Sequence, residues 1–227
     1  MPNVDYLGAR GANAGDYFHE LWAVRHALSL LDQDSELTIL TVEGLRPEDE
    51  AGQSERNWDG VDCGLYYGAA AIKDCKRIEI EQLKYSSADP DSPWTIARLT
   101  TSTAKKANNS VMRRLADAFR GVEAARGTSA GIVIRLVSNQ PVASEVLEIL
   151  QAPAKDSTLA KSSEHAKDLD RIVEASGLSR EAFSTFVGCL DFSSQTGSRF
   201  DLEDNVLKTI ASWTDDGASV ILNTLVR

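Results

Sequence analysis

The sequence predicts an α/β fold built on a mixed central sheet flanked by helices. Two observations predict it. Four short apolar or alternating runs are bounded by turn-rich segments, as strands are. Helical 3/4 spacing precedes the first run and recurs between the third and the fourth. The order is therefore helix, three strands, helix, strand. Three sequential strands can form a meander, and the second helix then crosses over to the fourth. At 227 residues the chain suits one domain, or one domain with an extension, and can bury a core without disulfides or metal.

Gly8 to Gly15 reads as a flexible leader. Asp16 then caps a helix whose apolar face is Tyr17, Leu21, Val24, Leu28 and Leu31. Asp32–Glu36 is a turn. Leu37–Val42 is apolar and β-branched, a buried strand ending at Glu43-Gly44. Residues 46–57 are charged and loop-like. Val61–Tyr67 reads as the second strand, Gly68–Cys75 as a turn, and Lys76–Tyr85 as a third, strongly alternating strand. The turn-rich loop Ser86–Pro93 leads to a short helix from Trp94. Val111, Leu115, Phe119 and Val122 share one face of the next helix. Ile132–Ser138 is the fourth strand. Helical pieces follow at Ser144–Leu150, Leu169–Ala175, Arg180–Leu190 and Leu202–Trp213. The apolar run Val220–Val226 ends without a cap, which suggests the N-terminal piece of a longer protein.

The formal charge is −10, so a basic coat for nucleic acid over the whole chain is excluded. The charge is uneven, however. Residues 1–62 carry a net −9, residues 73–126 a net +4 and residues 127–227 a net −5. The middle stretch holds Lys105, Lys106, Arg113, Arg114, Arg120 and Arg126. It is the one place where a polyanion would be welcome, although a solvated helix face has the same composition. Three cysteines, Cys63, Cys75 and Cys189, are too few for a disulfide scaffold or a four-thiolate zinc site. They fit a reducing, cytoplasmic compartment. No signal peptide and no long apolar run is visible, so no membrane span is expected.

The third strand carries the chemistry. Alternation puts Ile78, Ile80, Gln82 and Lys84 on one face, and Glu79, Glu81, Leu83 and Tyr85 on the other. A Gln and a Lys at the end of an apolar face are unusual, since a buried ammonium needs a partner. Asp62, early in the preceding strand, can supply one. An Asp, a Gln oxygen and a Lys converging at sheet ends make a hard-oxygen cation site beside a positive charge. A solvent-exposed strand end with a Lys–Asp pair would use the same residues. Asp59 reads as a turn residue. Glu20 borders the apolar arc of the first helix, where a rim carboxylate is the plainer reading. His19 and His26 read as surface or satisfied histidines, and the leader glycines fit neither the dinucleotide nor the Walker pattern.

The order Glu43, Asp62, Gln82-Leu83-Lys84 resembles the restriction-endonuclease-like nucleases of the PD-(D/E)xK superfamily, in their Mrr-like variant with Gln two residues before the Lys. The leader Arg10-Gly11-Ala-Asn-Ala-Gly15-Asp-Tyr-Phe18 and the Trp/Leu-rich helix after it are similar to a narrower group. That group is the double-stranded-DNA endonuclease domains of bacterial antiphage systems, found as CD-NTase-associated effectors and at the N-termini of antiviral STAND-type NTPases. The resemblance covers about residues 8–140.

It implies a restriction-endonuclease-like fold over residues 1–150 with a mostly helical extension, 151–227, leading into a further sensor or NTPase region. It implies a metal-dependent endonuclease on double-stranded DNA, with Mg²⁺ as cofactor and Mn²⁺ as substitute. Asp62 would be the main ligand. Glu43 would be a second ligand or hold a water, Gln82 would add an oxygen, and the Leu83 carbonyl another. Lys84 would act on the attacking water and stabilise charge on the transition state. Glu20 and Glu81 are lesser candidates, Glu81 only if a bulge re-aims it. Lys105, Lys106, Arg113, Arg114 and Arg120 would contact phosphates. A double-strand cut needs two sites or sequential nicking, which favours a homo-oligomer, a dimer or higher. The alternative is a non-catalytic DNA-binding or oligomerisation module on the same fold.

Overall fold

The computed structural model of the protein describes residues 6–102, 108–155, 164–193, 195–214 and 217–226. The fold is mixed α/β. Helix α1 (Tyr6–Ser29) leads into strand β1 (Leu37–Val42). After a single turn of helix, α2 (Pro47–Glu50), come β2 (Cys63–Tyr67) and β3 (Arg77–Lys84). Helices α3 (Ile96–Thr100) and α4 (Val111–Arg126) cross over to β4 (Ile132–Ser138). Then follow α5 (Ser144–Lys155), α6 (Glu164–Ser176), α7 (Arg180–Cys189), β5 (Leu190–Asp191), α8 (Arg199–Ala211) and α9 (Ala218–Leu225). Strand order across the sheet is β1-β2-β3-β4-β5. The first three strands are an antiparallel meander, and β3, β4 and β5 run parallel. Parallel neighbours need a crossover, which α3 and α4 supply between β3 and β4.

Each face of the sheet buries a separate apolar cluster. On one side Ile78, Ile80, Ile134 and Leu136 pack under Leu115, Phe119 and Val122 of α4. Ile172 of α6 and Phe183 and Phe186 of α7 join the same cluster. On the other side Cys63, Leu83 and Val137 pack against Phe18, Leu21 and Val24 of α1 and Leu202 and Val206 of α8. The stretches before and after residue 150 thus share both clusters. No helix among the described residues is long and apolar enough to cross a membrane.

The structure corrects four expectations. The glycine-rich leader is helical: α1 starts at Tyr6, ten residues before the expected cap at Asp16. Ala9, Ala12 and Ala14 are the best helix formers and intersperse the glycines, which disfavour a helix by only about 1 kcal/mol each. Leu31 lies beyond the end of α1 and is 69% exposed, so it leaves the apolar face. Part of the 46–57 loop is helical, because Pro47 sits at N1 and three acids fill the first turn of α2. Strand β5 was not expected. Its two residues are set by the pairing of Ile134 with Leu190 and Arg135 with Asp191, a long-range feature with no local pattern.

Candidate functional site

Three strand ends meet on one side of the sheet. The register pairs Val42 with Cys63, and Cys63 with Glu81. One step further, Glu43 is level with Asp62 and Asp62 with Gln82. The backbone keeps this row in place. The Glu43 N–H donates to the Asp62 carbonyl at 3.0 Å, and the Asp62 N–H to the Glu81 carbonyl at 2.9 Å. Neighbouring strands lie under about 5 Å apart, so three of the four expected site residues occupy one cross-strand row. Lys84 is two residues beyond Gln82 on the same strand.

Asp62 stands just outside β2 rather than inside it, contrary to the expectation. Its carboxylate continues the ladder where the strand stops, because Oδ2 accepts the Leu83 N–H at 2.6 Å. This bond fixes the carboxylate at the end of the sheet. Glu43 is held with φ of 56°, alone among the described non-glycine residues in having a positive φ. That conformation is disfavoured for a side chain bearing a Cβ and clusters at functional sites. It persists because both Glu43 and Gly44 donate main-chain hydrogen bonds across to Asp62 and Val61.

Lys84 is half-buried, and its ammonium donates to the Leu83 carbonyl at 3.0 Å. Burial pushes its pKa below the ordinary lysine value. The Asp62 carboxylate opposes that shift, and the Arg114 guanidinium reinforces it. Gln82 is 1% exposed, and its Oε1 has no hydrogen-bond partner. A buried oxygen without a donor calls for an explanation, and a bound donor or cation is one.

A cleft of about 320 Å³ opens at this end on the α1 side. Glu43, Asp62 and Leu83 line it, and so do Asp16, His19 and Glu20 of α1. Gln82 and Lys84 do not line it; alternation puts their side chains on the α4 side with Ile78 and Ile80. The cleft therefore collects Glu20, the lesser candidate from the sequence, with two of the main ones. Asp16 and His19 were read otherwise. Their signal was the spacing Asp16, His19, Glu20, Ala23, which places one stripe of α1 over the cleft. Cys63 also lines it; burial pushes its thiol pKa up, and the Glu81 and Asp62 carboxylates push it further.

Glu81 respects strand alternation and no bulge re-aims it. It is fully buried on the α1 side. The Trp22 indole N–H donates to Oε2 at 2.6 Å, His26 Nε2 lies 3.1 Å from the same oxygen, and Arg135 reaches Oε1 at 3.3 Å. Arg135 also pairs with Glu79 at 2.5 Å and Asp191 at 2.9 Å. Burial raises the Glu81 pKa, but the His26 and Trp22 contacts and the Arg135 charge outweigh it and hold the carboxyl below its usual range. Glu81 and His26 thus belong to one buried polar network with Trp22 and Arg135.

The basic stretch divides. Lys105 and Lys106 lie outside the described residues. Arg113 pairs with Asp117 at 2.8 Å and Arg120 pairs with the same carboxylate. Asp117 is 1% exposed, so both guanidinium groups are committed to compensating a buried charge. Arg126 donates to the carbonyls of Ile72, Cys75 and Ala130. Arg114 makes no ion pair among the described residues, and its Nε is buried without a partner.

The oxygen donors of the row suit a hard divalent cation in kind. The orphaned Gln82 oxygen is in keeping with that. As arranged, the Leu83 carbonyl is engaged by Lys84, and among the described residues no group of three or more His, Cys, Asp or Glu is clustered closely enough to hold a metal. Ligation would rest on Asp62 and Glu43 with amide and carbonyl oxygens. No family model matches the chain, and no curated protein matches it.

Proposed function

We propose that the chain is a metal-dependent endonuclease that hydrolyses phosphodiester bonds of double-stranded DNA, the effector domain of an antiphage defence protein. The observation that carries this reading is the row Glu43–Asp62–Gln82 at one sheet end, with the half-buried Lys84 beside it. The helix–three-strand–helix–strand order supports a restriction-endonuclease-like fold. Asp62, Glu43, Gln82 and the Leu83 carbonyl would hold Mg²⁺, or Mn²⁺ in its place. When bound, the ion supplies charge neutralisation at the phosphate and a more acidic water.

The chain's own groups do the rest. Asp62 is anchored by the Leu83 N–H, so its carboxylate is positioned in advance. Lys84, desolvated and fixed on the Leu83 carbonyl, presents a charge whose attraction for an anion is little screened by water. That charge would stabilise the phosphate as negative charge builds on it.

The test is supercoiled plasmid incubated with Mg²⁺, with EDTA and with the Asp62→Ala variant. Cleavage by the wild type alone, abolished by EDTA, is expected. Duplex binding without Mg²⁺-dependent cleavage would identify the alternative, a non-catalytic DNA-binding or oligomerisation module.

A further inference from the structure

We infer that Arg114, in the first turn of α4, is a second phosphate-binding group of this site, contacting the scissile phosphate beside Lys84; this rests on the nuclease reading. The arginines of α4 look equivalent in the sequence, but the structure separates them. Arg113 and Arg120 are both tied to the buried Asp117, and Arg126 is tied to main-chain carbonyls. Among the described residues Arg114 alone of these four arginines pairs with neither a carboxylate nor a carbonyl, and its buried Nε, like that of Arg126, has no partner. A buried donor without a partner calls for an explanation.

Its position supplies one. Arg114 is near enough to Lys84 for the two like charges to oppose each other. Asp62 is the carboxylate whose charge acts on Lys84 here, against that of Arg114. A phosphate between Lys84 and Arg114 would offset both positive charges and give the guanidinium the two acceptors its fork is shaped for. The backbone is built to bring them together. Gly60, two residues before Asp62, lies directly on Arg114: a Cβ there would come within 2.7 Å of the Arg114 Cβ and 3.2 Å of its carbonyl. Glycine lets the Asp62 loop press against α4, which couples the placement of Asp62 to that of Arg114. In addition, α4 is the crossover from β3 to β4, so its N-terminus, with its partial positive charge, begins on the side where β3 ends at Lys84.

The experiment uses the full chain, with Arg114→Gln, Arg114→Lys and Asp62→Ala beside the wild type, each checked for an unchanged melting temperature. Plasmid cleavage is measured in Mg²⁺. Duplex binding is measured in EDTA over a range of salt. Arg114→Gln is expected to lower kcat by about 100-fold, the effect of removing one well-placed charge donor. The salt slope of binding should fall by about one. Arg114→Lys should recover binding but only part of kcat, because an ammonium lacks the bidentate fork. If the wild type cleaves, Asp62→Ala is dead and Arg114→Gln cleaves and binds like the wild type, the inference is overturned and the nuclease reading stands. If the wild type does not cleave, both fall. If Arg114→Gln melts early, Arg114→Lys decides: kcat equal to the wild type overturns a fork-specific contact.

Discussion

The Asp62 carboxylate stands 2.6 Å from the Leu83 N–H, where the next ladder bond of β2 would have been. A side chain thus finishes the hydrogen bonding of a sheet at the point where a strand stops. The bond commits one carboxylate oxygen to the fold. Asp62→Asn keeps an acceptor for Leu83 but loses the charge. Loss of charge assistance should destabilise the protein by about 1 kcal/mol, while cleavage should disappear. Addition of Mg²⁺ should raise the melting temperature of the wild type and leave that of Asp62→Asn unchanged, since only a ligand that binds the folded state stabilises it. Equal shifts in both proteins would exclude Asp62 as the main ligand.

Glu81 behaves differently from the acids at the cleft. It is fully buried and contacts Trp22, His26 and Arg135. Removing it leaves Arg135 paired with Glu79 and Asp191 but takes the buried acceptor from the Trp22 indole N–H. Glu81→Ala should therefore lower stability by about 1–3 kcal/mol, measured by urea denaturation. Whatever folded protein remains should retain turnover per molecule. A stable Glu81→Ala with no cleavage would place this carboxylate in the chemistry instead.

The same network makes stability sensitive to acid. The folded Glu81 carboxyl is held below its ordinary value. Its stabilising contribution is therefore present above the unfolded pKa, about 4.3, and is lost as pH falls through the lower folded value. Asp191, held down by Ser193 and Arg135 against the opposing effect of burial, acts in the same direction. Denaturation midpoints measured from pH 6 to pH 3 should fall steeply below about pH 4.5. The fall should be shallower in Glu81→Gln.

Much of this molecule can be read from its sequence, for identifiable reasons. Ile132–Ser138 stands out because its apolar run has no helical periodicity, and the strand has those bounds. Gln82 and Lys84 follow Ile78 and Ile80 onto the α4 side because alternation is a local property of a strand. What was hidden depends on partners distant in the chain. Nothing near Arg113 or Arg114 says that the first is spent on Asp117 and the second is not. The helical state of the leader was masked by its glycines, and with it the place of Asp16 and His19 over the cleft. The strained φ of Glu43 follows from cross-strand bonding to Asp62 and Val61, which no propensity records.

Gly60 offers a test of how tightly the Asp62 loop is fitted to α4. A methyl group there would meet the Arg114 Cβ and main chain, neither of which is the free end of a flexible side chain. Gly60→Ala should destabilise by about 1–3 kcal/mol, the usual effect of overpacking. It should also lower cleavage beyond what the unfolded fraction explains, because it moves Asp62 relative to the α4 side. Unchanged thermal and catalytic behaviour would show that the loop shifts freely.

Glu43 separates stability from function most sharply. Its φ of 56° is unfavourable for any residue with a Cβ, at a cost on the order of 1 kcal/mol that glycine escapes. Glu43→Gly removes that penalty. The melting temperature should therefore hold or rise by up to about 2–4 °C even though a side chain is lost, with part of the gain offset by the greater freedom of glycine in the unfolded chain. Cleavage in Mg²⁺ should fall, because the second carboxylate at the proposed cation site is gone. Glu43→Gln keeps the strain and removes only the charge, so it should gain little stability and lose comparable activity. Thermal melts and plasmid cleavage on the two variants are sufficient. A Glu43→Gly protein that melts earlier than the wild type, or cleaves as well, would show that the left-handed conformation does not serve to place the carboxylate at the site.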